Sequence, residues 1–184
     1  MKEWFEGKSV AVIGNAMYLF EKEYGKEIDS HDVVVRLNKA AMLYDRMDAE
    51  KSHGKRTDIW MFWNTAEYKK YFHKVNVKKM HMGHQSRNPS NLGLVDHFYP
   101  NDLYKKLKKE AGKHSNPTTG LMALDYITSC NPKSVSIYGF DWKETPTWTD
   151  PKRIKDPKCP HDYDTEREYC KNAFLSQPNI FLRS

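Results

Sequence analysis

The sequence predicts an α/β fold, a single Rossmann-like domain on a mostly parallel sheet, and three observations carry that prediction. Short β-branched apolar runs recur along the chain, helix-period stretches separate them, and glycine, asparagine or proline marks several of the turns between. Runs so short and so apolar read as strands buried on both faces, as in a parallel sheet.

SVAVIG (9–14) is the first strand, bounded by Lys8 and a Gly14-Asn15 turn. DVVVRLN (32–38) is the second and TDIWMFW (57–63) the third. A helix follows over 65–73, then VKKMHM (77–82) as a strand. A helix over 101–111 takes Asn101 as its N-cap. Residues 118–130 form a helix opened by Pro117, and SVSIYGF (134–140) is a strand after Asn131-Pro132. The segment 143–160 holds four prolines and Trp148 without a clear period, the signature of a functional or mobile loop. A last helix spans 162–175 and a short strand 179–182, so one domain covers 1–184.

The 184 residues, 39% hydrophobic, supply one sizeable core. A charged fraction of 29%, with 9 Gly and 9 Pro, fits a soluble globular chain rather than a disordered one. The net charge of +6 suits an anionic partner such as a nucleotide, a nucleic acid or an acidic glycan. The lysines nevertheless fall in two separate sets, Lys69, Lys70, Lys74, Lys78 and Lys79, then Lys105, Lys106, Lys108, Lys109 and Lys113 at helical spacing. Such faces are ordinarily solvated, so a nucleic-acid partner is not expected. Cys130, Cys159 and Cys170 are an odd set without CxxC spacing, which argues against a disulfide framework or a zinc site and for a reducing compartment. MKEWFEGK is too polar for a signal peptide, and no segment approaches the roughly 18 apolar residues of a membrane span. A soluble, cytoplasmic chain is the expectation.

Four segments carry chemistry. In VAVIGNA a strand ends on Gly14-Asn15, where the backbone comes close to something and an amide side chain stands beside it; a plain structural turn reads the same way. In EIDSHDVVVRLNKA, strand alternation puts Arg36 and Asn38 on one face at the carboxyl end, where parallel sheets bind ligands. The alternative is that Asn38 closes a turn while Arg36 pairs with Asp29 or Asp32. In NPTTGLMALDYI, Thr118 and Thr119 offer hydroxyls and Gly120 opens access to the N–H groups of a helix start, which is anion-binding chemistry or ordinary capping. In CPHDYDTEREYC, His161 stands at a helix start with Glu166 five residues on, a general base and an acid to orient it, unless His161 is only a surface residue.

Taken in order, these segments resemble the sialylmotifs of glycosyltransferase family 29, the eukaryotic-type sialyltransferases. VAVIGNA with EIDSHDVVVRLNKA matches the large motif, NPTTGLMALDYI with VSIYGF the small motif, and His161 with Glu166 the very short motif; together they span about 9–174. The resemblance implies a metal-independent variant GT-A fold and inverting transfer of sialic acid, or a similar keto sugar such as Kdo, from a CMP-sugar donor to a hydroxyl of a glycan or other acceptor. It implies no cofactor beyond the donor substrate. It gives His161 the role of catalytic base with Glu166 beside it, and assigns donor binding to Gly14, Asn15, Asn38, Thr118, Thr119, Gly120, Phe140 and Trp142. DYD (162–164), next to His161, receives no metal role.

The chain departs from the family pattern in several places. The cysteine of the large motif that secreted members pair with one in the small motif is missing near Val10, which leaves Cys130 an orphan. Met17 stands near a position where the family commonly has glycine. The His-Tyr motif that helps bind the donor phosphate is not evident, so Lys143 or Arg153 would have to replace it. The chain is also shorter than typical members, and the family's acceptor choice does not carry over. A non-catalytic nucleotide or nucleic-acid binding module on the same scaffold is the alternative reading.

Overall fold

The computed structural model describes residues 2–45, 49–63, 65–83, 93–112, 116–148 and 160–184. Lys113, Arg153 and Cys159 lie outside the described residues. The strands are β1 (Ser9–Ile13), β2 (Val33–Leu37), β3 (Ile59–Phe62), β4 (Lys78–His81), β5 (His97–Phe98), β6 (Ser134–Tyr138) and β7 (Ile180–Arg183). The α-helices are α1 (Gly25–Asp29), α2 (Glu50–His53), α3 (Thr65–Tyr68), α4 (Asn101–Leu107), α5 (Thr119–Ser129) and α6 (Tyr163–Ala173).

The strands form one seven-stranded sheet in the order β5-β4-β3-β2-β1-β6-β7. Every neighbouring pair is parallel. The chain starts in the middle at β1, walks outward through β2 to β5, and returns on the other side of β1 with β6 and β7. The strand order therefore reverses between β1 and β6, and in open α/β sheets ligands bind at the carboxyl ends of the strands flanking such a point.

Alternation along the strands divides the core. Val10, Val12, Val33, Val35, Ile59, Met61 and Met80 pack with Leu107 of α4, Leu121, Met122, Leu124 and Ile127 of α5, and Cys170 of α6. Ala11, Ile13 and Val34 face the other way, onto Leu19, Ile28 and Tyr138, while Trp60 and Phe62 cluster with Tyr68 and Val75. Arg36 stands between these two groups, in register with Ile13 and with Trp60.

The strand predictions hold, five of them shorter by a residue or more and the last, expected over 179–182, shifted by one residue to Ile180–Arg183. Other elements differ. The helix expected over 65–73 is α3 followed by a 3-10 turn, Lys69–Tyr71. Asn101 is not the N-cap of α4: Pro100 takes that place in extended conformation, and its carbonyl accepts from Tyr104 N, so Asn101 is already helical. Beyond Leu107 the chain widens to a π-helix, Lys108–Gly112. β5, α1 and α2 carry too few residues to show a period in the sequence.

The acids of EIDSHDVVVRLNKA have structural employment. Asp32 accepts from the amide and hydroxyl of Ser9, and Asp29 accepts from the amides of Lys55 and Arg56. Arg36 does not reach the ligand crevice. It is 2% exposed and donates to the carbonyls of His53 at 2.6 Å, Gly54 at 3.1 Å and Arg56 at 2.9 Å, and to Thr57 Oγ1 at 2.9 Å. It ties the loop after α2 to the sheet rather than bracing the acids in front of it. Burial depresses its pKa to about 10, offset in part by Asp29 and Asp58, so the guanidinium stays charged at neutral pH. Cys130 and Cys170 are buried free thiols. Among the described residues no helix is long and apolar enough to cross a membrane.

Candidate active site

At the carboxyl ends of β1, β2 and β6 lies a cavity of roughly 220 Å³ that reaches the start of α5 and the start of α6. Its lining includes all of Gly14, Asn15, Asn38, Thr118, Thr119, Gly120, Phe140, Trp142, His161 and Glu166. Segments more than a hundred residues apart in sequence thus converge on one pocket at the reversal of strand order.

The two glycines serve the pocket wall. A Cβ on Gly14 would lie 2.4 Å from the Gly139 carbonyl and 2.9 Å from Phe140 Cδ2, and one on Gly120 would lie 2.8 Å from Phe140 Cε1. The group approaching both glycines is therefore the Phe140 ring, which packs β1 and the start of α5 against β6. Access of a ligand to the α5 amides is not what demands glycine at 120.

Thr118 is the N-cap of α5, its Oγ1 accepting from Leu121 N. The same hydroxyl donates to Glu166 Oε2 at 2.7 Å, and the Thr118 amide donates to Oε1 at 2.7 Å. Its hydroxyl is thus committed to the protein, which leaves the first-turn amides of Thr119 and Gly120 for an anion, at the positive end of an 11-residue helix. Glu166 is 1% exposed, and burial raises its pKa to about 7 although both Thr118 donors pull it down. Burial, and then the nearby Glu166, push the Cys170 thiol up to about 12, so it stays protonated in the lining.

Glu166 does not orient the imidazole, because its oxygens are taken by Thr118. The partner of His161 is the main chain: Nδ1 lies 2.6 Å from the Asn116 carbonyl. A carbonyl only accepts, so Nδ1 carries the hydrogen, and in the neutral ring Nε2 then holds the lone pair. Asp162, the next residue, caps α6 by accepting from Thr165 N. Asn116 gave no sequence signal, since a backbone carbonyl has no side-chain identity.

Asn15 and Asn38 differ in what holds them. Among the described residues Asn15 Nδ2 reaches only the Leu37 carbonyl, at 3.5 Å, and its buried Oδ1 has no hydrogen-bond partner, so the side chain has capacity left for a ligand. Asn38 has φ of 47°, left-handed, which ends the strand alternation at Leu37. Its carbonyl accepts from Trp60 Nε1 at 2.8 Å and its Oδ1 from Trp63 N at 3.3 Å, which directs the side chain at the pocket rim. Asn38 thus closes the turn and also lines the cavity.

After β6 the backbone is left-handed at Gly139, Trp142 and Lys143. Asp141 secures this turn, its carboxylate accepting from the Lys143 and Thr145 amides and from the Thr145 hydroxyl. An Asp two and four residues ahead of its partners is an Asx-type turn signal that the sequence does contain. The following residues dock across the first turn: Met17 N donates to the Pro146 carbonyl and Trp148 N to the Asn15 carbonyl, with an antiparallel bridge between Ala16 and Thr147. This places Lys143 in the lining, with Nζ 3.4 Å from Thr147 Oγ1, so of the expected substitutes for the missing His-Tyr motif Lys143 is at the pocket. Among the described residues no group of three or more His, Cys, Asp or Glu could hold a metal.

The sequence model of glycosyltransferase family 29 (sialyltransferase) matches residues 6–88, which include the large motif. No curated protein sequence matches the chain. Solved structures do. A mammalian sialyltransferase in complex with Gal-beta-1-3GalNAc-ortho-nitrophenol is 19% identical, with a TM-score of 0.65 over 99% of this chain and 71% of its own. The sialyltransferase CstII from Campylobacter jejuni in complex with cytidine-5'-monophosphate is 14% identical, with a TM-score of 0.60 over 96% of this chain and 80% of its own. The monofunctional alpha-2,3-sialyltransferase Cst-I from the same organism is 13% identical, with a TM-score of 0.60 over 96% and 75%. The resemblance read from the motifs is thereby borne out: the sequence pattern of glycosyltransferase family 29 occupies residues 6–88, and the sialyltransferase fold, a GT-A-like variant, extends over nearly the whole chain.

Proposed function

We propose that this chain is a CMP-sugar-dependent glycosyltransferase, one domain over 1–184, that moves sialic acid or a similar keto sugar such as Kdo to an acceptor hydroxyl. The observation that carries this reading is the single cavity in which helix amides, two asparagine side chains, a lysine and an imidazole with a free Nε2 meet at the sheet's reversal point. The CMP complex of the similar CstII and the disaccharide complex of the similar mammalian enzyme support the donor and the acceptor class.

In this reading the donor phosphate sits at the first-turn amides of α5, with Lys143 opposite as the full positive charge. The acceptor hydroxyl gives its proton to His161 Nε2 while its oxygen bonds to the anomeric carbon. The bond from that carbon to the phosphate oxygen breaks, and its electron pair leaves on CMP. One displacement inverts the anomeric centre. Growing charge on the phosphate is met by fixed amide dipoles that need no reorganisation, so the chemistry makes no call on a metal or a further cofactor. Proton transfer to a positioned base contributes typically about 10²- to 10⁴-fold. The buried free thiols of Cys130 and Cys170 support a reducing, cytoplasmic setting as part of this proposal.

The test is a thermal-shift series with CMP, UMP, GDP, ADP and NAD, followed by turnover of CMP-sialic acid with and without EDTA, and product anomer assignment by NMR. Selective stabilisation by CMP and EDTA-resistant, inverting turnover are expected. No CMP shift overturns the reading, and steeply salt-dependent RNA binding without turnover favours the binding-module alternative.

A further inference from the structure

Three parts of the chain meet at Asn116. Its carbonyl accepts from His161 Nδ1 at 2.6 Å, and its amide donates to the Pro160 carbonyl at 2.9 Å. Its side-chain Oδ1 accepts from the Tyr104 hydroxyl at 3.1 Å and from Lys108 Nζ at 3.0 Å. One residue is thus bound on one side to the segment that carries the imidazole and on the other to the end of α4.

Tyr104 and Lys108 are four residues apart and share a helix face, with Leu107 beside them buried in the core. The Tyr104 ring stacks on Trp63, centroids 6.4 Å apart at 30°, with its hydroxyl directed at Asn116 Oδ1. Two donors converging on one amide oxygen fix that side chain, and with it the backbone on which the imidazole leans.

We propose that Tyr104 and Lys108 are positioning residues for the His161 base, acting through Asn116. The proposal rests on the reading of His161 as the base. Histidine free in water favours the tautomer with the hydrogen on Nε2, which cannot accept a proton from a hydroxyl at that nitrogen. The Asn116 carbonyl selects the other tautomer, and it can do so only while its peptide faces the ring. Without Tyr104 and Lys108 that peptide can turn, Nδ1–H loses its acceptor, and the lone pair on Nε2 is neither guaranteed nor aimed.

The experiment compares the wild type with the Tyr104→Phe/Lys108→Met double variant, which keeps the stacked ring and the aliphatic stem. Long-range ¹H–¹⁵N spectra of the imidazoles, with His161 assigned by a His161→Gln variant, report the tautomer without any turnover. Transfer from CMP-sialic acid to lactose reports kcat and the donor KM. We expect the Nδ1–H tautomer to dominate in the wild type and a tautomer mixture in the double variant. Because a base misplaced by about 1 Å can cost up to about 100-fold, kcat should fall about tenfold with the donor KM changed by less than about twofold. Lys108→Arg alone, which keeps a donor to Asn116 Oδ1, should retain the wild-type tautomer. An unchanged His161 tautomer in the double variant overturns the proposal. Should the double variant unfold, Lys108→Met alone decides by the same spectrum. Full transfer by His161→Ala would instead remove the base reading while leaving the Asn116 hydrogen-bond geometry as it stands.

Discussion

Glu166 grips Thr118 twice, one oxygen on its amide and the other on its hydroxyl, each at 2.7 Å, and so joins the start of α5 to the first turn of α6. Its folded pKa of about 7 lies above the ordinary 4.5 because burial outweighs the two donors. Between those values the folded state holds a proton that the unfolded state has released, so stability falls as pH rises through this window. Glu166→Gln can accept from the amide and donate to the hydroxyl, and it cannot titrate. Urea unfolding from pH 4.5 to 8 should therefore show a declining contribution in the wild type that is absent in Glu166→Gln; parallel profiles would contradict this.

Phe140 fills the gap that Gly14 and Gly120 leave. Gly120→Ala sets a methyl 2.8 Å from the Phe140 ring at the mouth of a packed core. Overpacking of this kind costs about 1–3 kcal/mol, to be read as a lower urea midpoint, and the displaced ring should also weaken CMP binding.

His161→Ala should reduce transfer by about 10²- to 10⁴-fold while the CMP dissociation constant stays within about twofold, because in the proposed mechanism the base acts on the acceptor's proton and not on the nucleotide. Isothermal titration alongside initial rates separates the two effects.

Lys143 meets the donor's negative charge in the proposed complex. A charge-assisted hydrogen bond contributes about 1.5–3 kcal/mol, so Lys143→Ala should weaken CMP about tenfold or more. Cytidine, which lacks the phosphate, should bind both proteins alike. Equal loss for CMP and cytidine would assign Lys143 to the fold of its turn instead.

Arg36→Met should be among the more destabilising substitutions in the chain, by about 3 kcal/mol or more, since it strips donors from the buried carbonyls of His53 and Gly54 and from Arg56 and Thr57. Calorimetry would register it as a lower Tm. CMP affinity per folded molecule should be unaffected, because the side chain points away from the pocket.

The sequence by itself determined the parallel α/β architecture. A strand buried on both faces leaves an unbroken apolar run, so SVAVIG, DVVVRLN, TDIWMFW and SVSIYGF could be read directly. It also named the pocket's lining, because turns at strand ends and caps at helix starts carry residue-specific chemistry at Gly14, Asn15, Asn38, Thr118 and His161. Tertiary structure alone decided which groups each side chain meets. Arg36 and Asn38 share a strand face on paper, yet a left-handed φ at Asn38 and a ring of backbone carbonyls around Arg36 send one to the pocket rim and the other into the core. Glu166 and His161 are neighbours in sequence, yet they hold Thr118 and Asn116 respectively. Both outcomes turn on backbone amides and carbonyls, which every residue possesses, and only the folded chain selects which of them face a given side chain.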